Sequence, residues 1–227
     1  MPVKGSSELL KVEPSKIICL GMNYLDHIKE FDRNKVPEEP VLFPKMPSSL
    51  IGPEDPIIIP KYVVDTIPDY RIDYEAELAL MIGKVGKDIP EENALEYVKG
   101  FFCLNDVSQR EIQKSDISGW FRGKSFDTFA PVGPELVPLE EIDDPQNLEI
   151  KLWQNGELKQ NSNTKHMIFS IKKCISYISQ NMTLWPGDII STGTPSGVGP
   201  IKKGDRIKIE IEQIGVLENP VLEEGST

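Results

Sequence analysis

Residues 70–80 read YRIDYEAELAL, and the placement of this run decides what kind of protein the chain makes. From Ile72 to Ile82 it predicts a half-buried strand. Successive strand side chains face opposite ways, so Glu75 and Glu77 share one side while Tyr74, Ala76 and Leu78 share the other. A solvated strand face accommodates such a pair. So does a concave site in which a divalent cation screens two carboxylates that otherwise repel. All-oxygen ligation selects Mg²⁺, Mn²⁺ or Ca²⁺ over zinc. That second reading needs a third carboxylate. Asp106, closing the apolar run FFCLND (101–106), is the best candidate, although spacing alone does not bring it near.

Working outward, KIICLG (16–21) predicts a buried strand ending at Gly21. The polar stretch after it holds one helical turn, around Asp26 to Phe31. Prolines interrupt residues 41–60, which predicts irregular strands and turns. EENALEYVKG (91–100) predicts a short helix ending at Gly100, and VSQREIQKSDISG (107–119) has helix-like composition. Residues 120–138 read as loop and then strand. In EIKLWQNGELKQ (149–160) the Asn155-Gly156 pair between strand-like runs predicts a hairpin. Ile168, Ile171, Ile175 and Ile178 recur at helical spacing and predict a helix with one buried stripe. Residues 203–221 alternate as a long strand pair. Without a repeat, a low-complexity tract or a linker, these elements predict one strand-dominated α+β domain over residues 1–227 with a few short helices.

The 227 residues are ample for a hydrophobic core, and the formal charge of −11 excludes a non-specific binder of nucleic-acid backbone. No apolar run approaches the roughly 20 residues that span a bilayer. The N-terminus MPVKGSSELLKVEPSK has no apolar signal region, so the expectation is a cytoplasmic protein. Cys19, Cys103 and Cys174 are scattered in apolar runs and read as reduced core thiols.

Three further pieces carry chemistry. His27 and Glu30 lie three apart, neighbours on a helical turn, where a carboxylate orients an imidazole. Lys124 lies between a glycine and an aromatic-rich turn; an ordinary surface lysine is the plain alternative. The run STGTPSGVG (191–199) lacks the Gly-Lys-Ser/Thr ending of a phosphate-binding loop. A tight turn presenting hydroxyls and amides to a carboxylate fits it at least as well.

Taken together, ICLGMNYLDHIKE, DYEAELAL, GFFCLNDVSQRE, GKSFDTFAPVGP, NGELKQNSNTKHMIFSI and PGDIISTGTPSGVGP resemble the fumarylacetoacetate hydrolase family, in family order over roughly residues 16–217. The resemblance implies a mixed β-sandwich roll with short helices, assembled as a homodimer. It implies that Glu75, Glu77 and Asp106 hold Mg²⁺ (or Mn²⁺), and that His27 and Glu30 form the dyad of a lid over residues 24–38. Lys124 would contact substrate oxygens. Arg110 and Gln113 would lie in the substrate pocket, and Thr192 and Thr194 in the loop receiving the substrate carboxylate.

The implied substrate is a small 2-oxo carboxylate, and the implied chemistry runs through a metal-bound enolate. With His27 as base for water, the expected reaction is acylpyruvate hydrolysis, releasing pyruvate. Isomerisation of 2-hydroxyhepta-2,4-diene-1,7-dioate, or decarboxylation of oxaloacetate, would use the same enolate. A metal-stabilised binding module without turnover would not need His27, Glu30 and Lys124. Two departures bear on substrate: Met22 stands where many relatives carry a basic or other residue, and the resemblance does not extend to the additional N-terminal domain of the longer fumarylacetoacetases.

Overall fold

The computed structural model describes residues 1–30, 36–117 and 119–225. In chain order the first strands are β1 (Ile17–Gly21), β2 (Val41–Lys45), β3 (Leu50–Ile51), β4 (Ile57–Ile59) and β5 (Ile72–Tyr74). There follow β6 (Ala76–Ile82), β7 (Val98–Asn105), β8 (Ser108–Gln109), β9 (Ala130–Pro138) and β10 (Glu149–Gln154). The last are β11 (Glu157–Asn163), β12 (Ile189–Ser191), β13 (Gly199–Pro200), β14 (Arg206–Ile211) and β15 (Gly215–Glu223). The α-helices are α1 (Leu25–Glu30), α2 (Lys61–Thr66), α3 (Arg110–Ser115), α4 (Phe121–Lys124) and α5 (Ile171–Asn181).

A seven-stranded sheet runs β2-β1-β12-β6-β7-β9-β3, beside a five-stranded sheet β11-β10-β14-β15-β4 and a three-stranded sheet β13-β5-β8. The main core lies on one face of the large sheet. There Ala76, Leu78 and Leu80 of β6 join Ile207, Ile209 and Ile211 of β14 and the apolar stripe of α5. On the opposite face Cys19, Ala79, Met81, Phe102 and Leu104 form a second apolar cluster with Val3. The α+β, strand-dominated expectation holds. Among the described residues no helix is long and apolar enough to cross a membrane.

The opening run departs from the strand predicted for it. Residues 72–82 form two strands in two sheets, with Glu75 at the joint. There two main-chain N–H groups turn to side-chain amides: Glu75 N–H donates to Asn105 Oδ1 and Ala76 N–H to Gln160 Oε1, both at 2.9 Å. Nor is the run half-buried. β6 is central and covered on both faces, and every residue of it is buried. A solvated carboxylate face is thereby excluded.

The hairpin forms as predicted, with Asn155 (φ 54°) and Gly156 (φ 80°) both left-handed, as a two-residue hairpin turn of this kind requires. Helix α5 buries Ile171, Cys174, Ile175 and Ile178 but starts later than the isoleucine spacing suggests. Ser170 caps it, its Oγ accepting from Lys173 N–H at 3.1 Å, and Ile168 N–H goes to Asn23 C=O instead. Residues 91–100 are not one helix: a 3₁₀ segment covers Glu91–Tyr97, and Val98 is taken into β7 opposite Ile82. Of the lid expected over 24–38, α1 is present, while residues 31–35, including Phe31, lie outside the described residues.

Candidate active site

One end of the large sheet gathers segments remote in sequence. β1 and β12 run parallel side by side, so the chain leaving Gly21 towards α1 and the chain leaving Ser191 emerge together. β6 is antiparallel to β12 and begins at that end, and β7, antiparallel to β6, finishes there with Asn105 opposite Ala76. Residues of four segments, among them Gly21, His27, Glu75, Glu77, Arg110 and Thr194, therefore line one cavity of about 310 Å³.

Glu75, Glu77 and Asp106 are all buried, and one carboxylate oxygen from each lies within 4.8 Å of the others. The cations are distributed unevenly among them. Lys124 Nζ bridges Glu75 Oε2 at 2.7 Å and Asp106 Oδ2 at 2.6 Å. Arg110 Nη2 reaches Glu75 Oε1 at 2.6 Å, and its Nε reaches the buried Asp73 Oδ2 at 2.7 Å. Lys45 Nζ reaches the other oxygen of Asp106, Oδ1, at 2.7 Å. Glu77 has no cationic partner among the described residues. Its Oε2 accepts from Ser191 Oγ at 2.5 Å and Gly193 N–H at 2.9 Å.

The electrostatics follow. Burial opposes ionisation of Glu75, but Lys124 and Arg110 overcome it and hold this carboxyl well below the usual range. Burial, reinforced by Asp106 and Glu75, pushes the Glu77 carboxyl up. Burial lowers the Lys124 ammonium, yet Asp106 and Glu75 raise it further. A buried carboxyl with no ion-pair partner among the described residues, beside two more carboxylates, makes an oxygen-rich pocket. A hard divalent ion suits it, since Mg²⁺ and Mn²⁺ take oxygen ligands. Glu75, Glu77 and Asp106 would hold such an ion.

Over the other side of the cavity lies α1. His27 lines the cavity, and its Nδ1 is 3.3 Å from Glu30 Oε2. Glu30 in turn accepts from Gly197 N–H at 3.1 Å, and Asp26 Oδ2 accepts from Ser196 Oγ at 2.8 Å. The dyad helix is thus tied at both ends to the loop after β12.

The residues singled out in the sequence fall as follows. His27, Glu75, Glu77, Arg110, Gln113, Lys124 and Thr194 line the cavity. Lys124 is not a surface lysine: it is 2 % exposed. Gln113 Oε1 accepts from Arg110 Nη1 at 2.9 Å, and Thr194 Oγ1 accepts from Gln160 at 2.9 Å. Thr192 is different. Its hydroxyl donates to Leu78 C=O at 2.7 Å, so it fixes the loop on β6 and leaves Thr194 as the threonine on the cavity wall. Sequence reasoning passed over Lys45, Asp73, Ser191 and Gly193. For two of them a signal existed: Lys45 is in phase with buried Phe43, and Asp73 with Glu75 and Glu77.

Residues 16–222 match the family described as Fumarylacetoacetate (FAA) hydrolase C-terminal. The mitochondrial oxaloacetate tautomerase fahd2 of Xenopus laevis is 46 % identical, aligned over 92 % of this chain and 66 % of that one. Among solved structures, 2-hydroxyhepta-2,4-diene-1,7-dioate isomerase from Mycobacterium marinum superposes with a TM-score of 0.83 at 41 % identity, over 95 % of this chain and 77 % of that one. Maleylpyruvate hydrolase from Sphingobium sp. SYK-6, in complex with manganese(II) and pyruvate, gives a TM-score of 0.78 at 38 % identity, over 92 % and 71 % of the two chains.

Proposed function

The chain belongs to the fumarylacetoacetate hydrolase family, and from that premise we propose that it is a divalent-metal-dependent enzyme that moves a proton at the carbon beside the keto group of a short 2-oxo carboxylate. Keto–enol tautomerisation of an oxaloacetate-like dicarboxylate is the specific reaction. The observation that carries this reading is one imidazole–carboxylate dyad facing a cluster of acidic and cationic groups across a single cavity.

When bound, the divalent ion supplies Lewis acidity to the keto and carboxylate oxygens of the substrate. Glu30 accepts from Nδ1–H of His27, which leaves the lone pair on Nε2 for proton transfer. His27 removes a proton from the carbon next to the keto group, and the electron pair passes to the keto oxygen. The Lys124 ammonium stabilises the charge growing on that oxygen. The proton that His27 has taken up passes on to that oxygen, which completes the enol and restores the neutral imidazole; the same steps reversed return the ketone. Arg110, Gln113 and Thr194 bind and orient the substrate's carboxylates. The ties from Asp26 to Ser196 and from Glu30 to Gly197 keep α1 closed and bulk water out.

Acylpyruvate hydrolysis is the second reading, favoured by the likeness to maleylpyruvate hydrolase. In it His27 takes its proton from water instead, and a carbon–carbon bond breaks. One experiment separates them. Oxaloacetate enol and acetylpyruvate are each followed by enol absorbance and by pyruvate release, with Mg²⁺ or Mn²⁺ and then with EDTA. Metal-dependent loss of oxaloacetate enol without pyruvate release supports tautomerisation, and pyruvate from acetylpyruvate supports hydrolysis. Equal rates with and without chelator would sink both.

A further inference from the structure

Asp106 is held by two lysines that differ in kind. Lys124 faces the cavity and bridges two carboxylates. Lys45 does not line the cavity; its side chain is wholly buried, and its ammonium grips Asp106 Oδ1 at 2.7 Å and Val107 C=O at 3.2 Å. The Asp106 main chain is fixed as well: its N–H donates to Glu75 C=O at 2.9 Å, and its C=O accepts from Ser108 Oγ at 2.8 Å. With Oδ1 held by Lys45, the carboxylate is kept from rotating, and Oδ2 stays on the side of Lys124 and Glu75.

We infer that Lys45 is a positioning residue, acting through Asp106 to keep one oxygen of that carboxylate presented to the divalent cation. A fully buried ammonium is costly to desolvate, and buried ion pairs are often replaceable by apolar side chains without loss of stability. Packing alone therefore gives little reason for a lysine at the end of an edge strand, in phase with buried Phe43. Hydrogen-bond partners standing behind metal ligands do give one. Their removal typically lowers metal affinity or activity about 10–100-fold. Charge alone works the other way, because a nearby ammonium repels a cation and its loss would tighten binding.

This inference rests on the metal-site reading above, and the test keeps the two apart. Mn²⁺ affinity is measured by calorimetry on metal-stripped wild type, Lys45→Met and Lys45→Gln, well below each protein's unfolding midpoint. Lys124 still pairs with Asp106 in both variants, so neither leaves that carboxylate without a cation. The expected result is Mn²⁺ binding weakened about 10–100-fold in Lys45→Met. Lys45→Gln, whose amide can still donate to Oδ1, should recover part of the loss. Should Lys45→Met not fold, Lys45→Gln is compared directly with wild type and must bind Mn²⁺ more weakly. Affinity unchanged or tighter in the folded variants overturns the positioning role and leaves the metal site standing. Wild type that binds no Mn²⁺ overturns the metal site, and the positioning role with it.

Discussion

Replacing Lys124 with methionine should make the protein bind its metal more tightly while turnover is lost. Lys124 holds Glu75 Oε2 and Asp106 Oδ2, oxygens of two of the three residues that would hold the ion, so ammonium and metal would compete for those carboxylates. Without the ammonium, the metal-free site holds carboxylate oxygens within 4.8 Å of one another, and only Arg110 on Glu75 and Lys45 on Asp106 remain as ion-pair partners. At that separation and an effective dielectric of about 20, two unit charges repel by about 3.5 kcal/mol. An arriving ion relieves that repulsion, which for one pair corresponds to about 300-fold in affinity. Water entering the emptied space screens part of it, so a gain of about 10-fold or more is expected. The assay is calorimetric titration of metal-stripped protein with Mn²⁺, alongside enol turnover at saturating metal. Unchanged or weaker binding in Lys124→Met would refute the competition and make Lys124 a support for the carboxylates.

Two other perturbations test the surroundings of the site. His27→Ala should lower turnover about 10²–10⁴-fold, the usual contribution of a positioned acid–base group, while Mn²⁺ affinity stays at the wild-type value; loss of metal binding would show that the imidazole's role is misassigned. Gly123→Ala would place a Cβ 2.7 Å from both Gln109 C=O and Gln113 N, backbone atoms at the start of α3. Overpacking of this kind costs about 1–3 kcal/mol, and it displaces α4 together with Lys124. A melting temperature and turnover both equal to wild type would contradict that close approach.

The residues of this site were more legible in the sequence than the architecture that gathers them. Glu75 and Glu77 stood out because two carboxylates interrupt an apolar alternation, and the structure brings Asp106 to them although no spacing rule could. Alternation failed on one point: it assumes that the polar side of a strand faces water, whereas β6 is central and buried on both faces. For the same reason the break at Glu75 was invisible, since it is made by the side chains of Asn105 and Gln160, remote in sequence. The hairpin at Asn155-Gly156 was readable because two adjacent left-handed residues are a local requirement. Lys45 hid for the opposite reason. A lysine at a strand end reads as a solubilising edge charge until its partner, 61 residues away, is known.

The pairing of β1 with β12 brings an early and a late segment together, and this has a consequence for how the protein is made. Hydrogen bonds that shape the site span 114 residues from Glu77 to Ser191, and 167 from Glu30 to Gly197. A chain emerging from the ribosome at about 5–20 residues per second exposes Glu75, Glu77 and Asp106 several seconds before the segment that seats them. For that interval Glu77 lacks the Ser191 hydroxyl and the Gly193 amide that hold its carboxylate. The acidic cluster therefore reaches its final geometry only once the chain past residue 193 has been made.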